Sequence, residues 1–98
     1  MWIGWLEFDV LLGDVRSLKQ KRSAIRPLIA ELQRRFAVSA AETGAQDLHR
    51  RAKVGMAVVS ADRGHVVDVL DAAERLVASR PEIELLSARR GLRRSSDD

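Results

Sequence analysis

Residues 17–36 read SLKQKRSAIRPLIAELQRRF. Leu18, Ile25, Leu28, Ile29, Leu32 and Phe36 recur at helical spacing and mark the buried face of an amphipathic helix. Ser17 is placed to cap its N-terminus with a side-chain oxygen. Pro27 falls inside the pattern and brings no amide hydrogen. Either the helix kinks there or a regular helix begins late. The apolar stripe keeps its phase from Leu18 to Phe36, which favours the kinked helix. The stretch is also the most basic in the chain. Residues 16–36 hold seven basic side chains and one acidic, a local balance of +6, whereas residues 63–80 hold three of each sign.

On the N-terminal side of this helix, residues 2–12 (WIGWLEFDVLL) alternate. Leu6, Phe8, Val10 and Leu12 point one way; Glu7 and Asp9 point the other, together with Ile3 and Trp5. Period two with one polar side predicts a half-buried strand. Gly13-Asp14 is a turn signal between strand and helix. On the C-terminal side, residues 36–43 have little that is bulky and predict a short edge strand, followed by a polar loop over 43–49. Residues 51–60 (RAKVGMAVVS) are apolar on both sides, as a central strand requires. Asp62 caps a second helix over 63–79, with Val66, Val69, Leu70, Ala73, Leu76 and Val77 as its stripe. Arg80-Pro81 closes it, since the residue before a proline resists helical angles. Residues 83–88 make a last strand.

The order is β-α-β-β-α-β, which is the ferredoxin-like plan: a four-stranded antiparallel sheet with two helices on one face. One α+β domain is expected over residues 1–90. Residues 91–98, with Gly91 and paired charges but little apolar content, are expected to form a flexible tail.

The totals narrow the function classes. Ninety-eight residues, 46% of them hydrophobic, fit one domain with a core of its own. There is no Cys, hence no disulfide framework, thiolate metal site or thiol nucleophile. No apolar run is long enough to span a membrane, and the N-terminus does not read as a signal peptide. A soluble cytoplasmic protein without membrane contact is the expectation. The net charge of +3 is a mild excess; its concentration in the first helix matters more.

Four stretches in order carry a resemblance: Ser17-Leu18-Lys19-x-Lys21-Arg22, Arg35-Phe36-x-Val38-Ser39-x-Ala41-Glu42, Gln46-Asp47-Leu48, and Gly55-x-Ala57-Val58-Val59-Ser60. Spanning nearly the whole chain, they make it similar to the small bacterial YlxP-like proteins, a family catalogued as a domain of unknown function. The resemblance implies a ferredoxin-like fold. It also implies a gene neighbourhood shared with translation initiation and ribosome-maturation factors, and it brings no catalytic residues. Two positions depart from the pattern. Ala37 stands where relatives commonly have Asn, and His49 where they commonly have an aromatic residue.

The chemistry points to binding rather than catalysis. Lys19, Arg22 and Arg26, spaced i, i+3, i+7, form a row beside the buried stripe, and Lys21 flanks the stripe on its other side. Such a row can hold phosphates of structured RNA by position. Arg50, Arg51 and Lys53 extend this surface, or else pair with Glu7, Asp9 and Glu42 on neighbouring strands. The competing account is a solvated helix face that keeps the protein soluble. The expected partner is ribosomal RNA or a ribosomal subunit. The alternative is a dimeric structural or regulatory module with no nucleic-acid role, pairing through Ile3, Trp5 and Val59 on the open sheet face.

No enzyme motif is present. An acylphosphatase-type site needs an Asn, and the chain has none. No P-loop or dinucleotide fingerprint occurs, and two histidines, His49 and His65, sit in different elements. No cofactor, metal or catalytic residue is expected.

Overall fold

Strand β1 (Trp2–Leu12) buries one side chain in two. Leu6, Phe8, Val10 and Leu12 are almost fully enclosed, while Glu7 and Asp9 lie on the opposite face. The rest of the chain covers that apolar face. The computed structural model describes residues 1–97. Its elements follow in the order β1, α1 (Leu18–Phe36), β2 (Ser39–Gly44), β3 (Arg51–Ser60), α2 (Arg63–Ala78) and β4 (Ile83–Arg94), with a short 3₁₀ turn over Ser95–Asp97. The strands form one sheet in the order β2-β3-β1-β4, antiparallel throughout. This is the ferredoxin-like arrangement expected above.

Both helices pack on the face that carries Leu6, Phe8, Val10 and Leu12. Ile25, Leu28 and Leu32 of α1 and Val66, Val69, Leu70, Ala73 and Val77 of α2 close over them, with Ala52, Val54, Met56 and Val58 of β3 completing the core. Gly4 permits the close approach of α2 to β1, because a Cβ there would overlap Val66 Cγ1. At the periphery Arg80 at the end of α2 pairs with Glu31 of α1. Arg90 of β4 reaches Asp71 at 2.8 Å and Glu74 at 3.1 Å on α2. Burial lowers the pKa of Arg90, but the hydrogen bonds to Asp71 and Glu74 raise it by more, so it stands above its usual value.

Helix α1 is continuous through Pro27, so the late start is excluded. Pro27 is exposed, which places its missing amide bond on the solvent side. The helix opens on Ser17, whose Oγ accepts from Gln20 N at 3.1 Å. Gln20 Oε1 returns the favour by accepting from Arg16 N at 2.6 Å. This is a variant of the reciprocal capping box, here closing on the residue before the cap.

The structure corrects two expected boundaries. Residues 36–38 are not strand: Phe36 ends α1, Ala37 turns the chain with φ 52° and donates its N–H to Gln33 O, and β2 begins at Ser39. The stop lies in a left-handed residue that is neither Gly nor Asn, so its sequence carries no stop signal. The flexible tail from Gly91 is also corrected. Gly91–Arg94 continue β4 and pair with Trp2–Trp5 of β1. An 11-residue β1 leaves its N-terminal half without an outer partner unless β4 runs on, and Leu92 packs against the core. Asp98 lies outside the described residues.

A left-handed alanine costs about 1 kcal/mol relative to glycine. Ala37→Gly is therefore expected to raise stability by about 0.5–1 kcal/mol, read as a higher urea midpoint with an unchanged slope.

Candidate functional site

The row expected on α1 is present. Lys19, Arg22 and Arg26 are all exposed. Among the described residues no carboxylate pairs with any of the three. At 1.5 Å of rise per residue they span about 10 Å along the helix. Gln33 lies one heptad beyond Arg26, and its Nε2 donates to Ala40 O of β2 at 3.1 Å. The row therefore follows the flank of α1 that faces the β2 edge of the sheet.

Lys21 does not belong to that surface. It is 2% exposed and lies on the buried stripe with Ile25, Leu28 and Leu32. Its Nζ donates to Ala45 O at 2.6 Å and stands 2.8 Å from Glu42 Oε2. That carboxylate oxygen is buried and has no well-angled hydrogen bond, so the Lys21 ammonium is its compensating charge. The reason is phase: Lys21, Ile25, Leu28 and Leu32 follow the 3.6-residue period that turns side chains inward. Lys21 is a staple between α1 and the β2–β3 hairpin, and the expectation that it binds nucleic acid is corrected.

Arg51 is likewise committed. Its guanidinium makes a two-pronged contact with Asp9, 2.7 and 3.2 Å, across the β1–β3 pair. Of the two options open in the sequence, cross-strand pairing is the one realised. Arg50 is exposed; its Nε donates to Gly13 O at 3.0 Å, and its own carbonyl accepts from Leu12 N at 2.7 Å. These bonds fix Arg50 at the β1–α1 loop, at the end of the molecule where α1 begins. The structure thus leaves Lys19, Arg22 and Arg26 as one row, sets Arg50 apart beside the β1–α1 loop and the start of β4, and removes Lys21 and Arg51.

Ile3, Trp5 and Val59 fall together on the sheet face that no helix covers. Ile3 pairs in register with Val59, and Trp5 with Ala57. Trp5 is 44% and Val59 60% exposed, while Ile3 is half-buried. One feature had no signal in the sequence. The Trp2 ring is flanked by the guanidinium groups of Arg63 and Arg94, 5.6 and 5.8 Å from its centroid. Arg94 reaches it only because β4 is long. Among the described residues no three His, Cys, Asp or Glu side chains are grouped as a metal site, and no helix is long and apolar enough to cross a membrane.

Fold and surface define a small ferredoxin-like α+β domain with one exposed row of cations and one open sheet face. Residues 3–90 match the family described as "Protein of unknown function (DUF503)", and the chain belongs to that family. It is similar to the "Uncharacterized protein YlxP" of Bacillus subtilis (strain 168), at 35% identity over 82 residues. The match covers 84% of this chain and 89% of the relative.

The two lysines of the SLKQKR stretch are expected to behave differently. Lys21→Ala strands the Glu42 carboxylate and should cost about 2–4 kcal/mol. Lys19→Ala, at an exposed position, should change stability by about 0.5 kcal/mol or less. Urea denaturation of both variants checks the assignment.

Proposed function

We propose that this protein is a noncatalytic cytoplasmic accessory factor that binds structured ribosomal RNA or a ribosomal subunit through α1. Lys19, Arg22 and Arg26 make the phosphate contacts, with Arg50 beside the β1–α1 loop as a fourth candidate cation. The observation that carries this is the contrast between cations. Arg51, Arg80 and Arg90 are spent on Asp9, Glu31 and the Asp71/Glu74 pair, whereas the α1 row is exposed and, among the described residues, pairs with no carboxylate.

A row of point charges on a rigid helix recognises the spacing of phosphates and not the identity of bases. Structured RNA presents phosphates in fixed geometry, so such a row can select shape without reading sequence. The open sheet face is a poor base-stacking platform. Its single large aromatic among the described residues, Trp5, has no second ring beside it on β3. That keeps the RNA contact on the helical side.

Three or four phosphate contacts predict a slope of log K against log salt of about −2 to −4. Purified protein is expected to bind ribosomal subunits at low salt and to release them as salt rises. Lys19→Glu/Arg22→Glu/Arg26→Glu should lose binding by about 100-fold or more while keeping its circular dichroism spectrum. No binding by wild type at low salt, or equal binding by the triple variant, rejects the proposal.

A further inference from the structure

The open sheet face holds a cation that its cross-strand carboxylate does not meet. The register sets Ser39, Ala57, Trp5 and Gly91 in one row across the sheet, and Ala41, Gly55, Glu7 and Arg89 in the next. Glu7 thus stands opposite Arg89, yet among the described residues Arg89 makes no ion pair. Glu7 is drawn the other way: its Oε2 accepts from Thr43 Oγ1 at 2.7 Å. Gly55 permits this, because a Cβ there would overlap Thr43 Cγ2.

The same two rows enclose a trough of about 690 Å³, lined by Trp5, Glu7, Ala41, Gly55, Ala57 and Arg89 among others. That volume lies within the range of about 300–1,000 Å³ usual for small-molecule sites. Small residues make the hollow: Ser39 and Ala41 of β2 pair with Ala57 and Gly55 of β3 and leave a mostly apolar floor. Trp5 stands beside it, opposite Ala57. Gly91 lets the indole lie over β4, where any Cβ would collide with it, and Trp5 stays 44% exposed. The ring therefore offers a stacking surface next to an apolar floor. Other cations of the region do not compete with Arg89. Arg90 is held by Asp71 and Glu74, and Lys53 and Arg93 share the open face without lining the trough.

We propose that this trough binds a flat aromatic carboxylate, its ring on the Ala41 and Ala57 floor beside Trp5 and its acid group on the Arg89 guanidinium. The planar fork of an arginine matches a carboxylate with two parallel hydrogen bonds. A neutral ring leaves that cation unmet. A phosphate ester brings a charge of about −1.5 to −2, and Glu7, which lines the same trough, repels the excess. The ligand class is therefore a singly charged ring. The helices lie on the far side of the sheet, so this site and the α1 row can be occupied together.

Residue-resolved NMR titration with naphthoate is expected to show saturable shifts at residues 39–43, 55–57 and 89 and at the Trp5 indole, with Kd of roughly 0.1–1 mM. Naphthamide and naphthyl phosphate should each bind about tenfold more weakly. Arg89→Gln should weaken naphthoate by about tenfold and leave naphthamide unchanged. Ala57→Leu, at an exposed position, fills the floor and should abolish binding of both while the rest of the spectrum is kept. The α1 triple variant should bind naphthoate as wild type does, which separates this result from the RNA assay. No saturable shift up to about 10 mM, equal binding of the amide or the phosphate, or an Arg89→Gln variant that still prefers the acid overturns the proposal. So do shifts confined to another surface, or naphthoate binding that Ala57→Leu leaves intact.

Discussion

The sheet can be covered on one face only, and the rest of the structure follows from that constraint. β1 sends Leu6, Phe8, Val10 and Leu12 to one side, and burying them removes the largest block of apolar surface from water. Both helices must then lie on that side, because the crossovers from β1 to β2 and from β3 to β4 each carry one. The opposite face keeps its mixed character, with Ile3 and Trp5 at one end of β1 and Glu7 and Asp9 toward the other. The molecule acquires two unlike surfaces from a single alternation.

Ionic contacts then sort the cations. The chain has 17 basic and 14 acidic residues, a balance too even to identify a binding surface. The structure breaks the balance by geometry. Cross-strand register gives Arg51 to Asp9, and helix packing gives Arg80 to Glu31 and Arg90 to Asp71 and Glu74. Among the described residues Lys19, Arg22 and Arg26 of α1 make no ion pair. Lys21 shows how fine the sorting is. It is flanked in sequence by Gln20 and Arg22, both exposed, yet one step of about 100° around the helix carries it into the core. There it ties α1 to the hairpin carbonyl of Ala45 and to Glu42.

Much of this was legible in the sequence. Period-two alternation in β1, two-sided apolar character in β3 and the helical stripes gave the element order and the sheet's central strands. The exposed row on α1 and the open-face cluster of Ile3, Trp5 and Val59 were legible for the same reason. What was not legible depended on partners far along the chain. The end of α1 rests on a left-handed Ala37, a residue type with no preference for that conformation. The length of β4 is set by backbone pairing with Trp2–Trp5, which Arg-rich side chains neither announce nor oppose. Lys21 sat in phase with Ile25 and Leu28, but its charge pointed to the surface, and only Glu42 and Ala45 explain why the phase prevailed.

The most direct test of the central claim is residue-resolved NMR shift mapping of the protein with a structured ribosomal RNA fragment. The account predicts shifts concentrated at residues 19–26 and at Arg50, fading as salt rises, with the open sheet face unchanged. Shifts confined to Trp5, Ala57 and Val59 would contradict it and move nucleic-acid contact to the other side of the molecule.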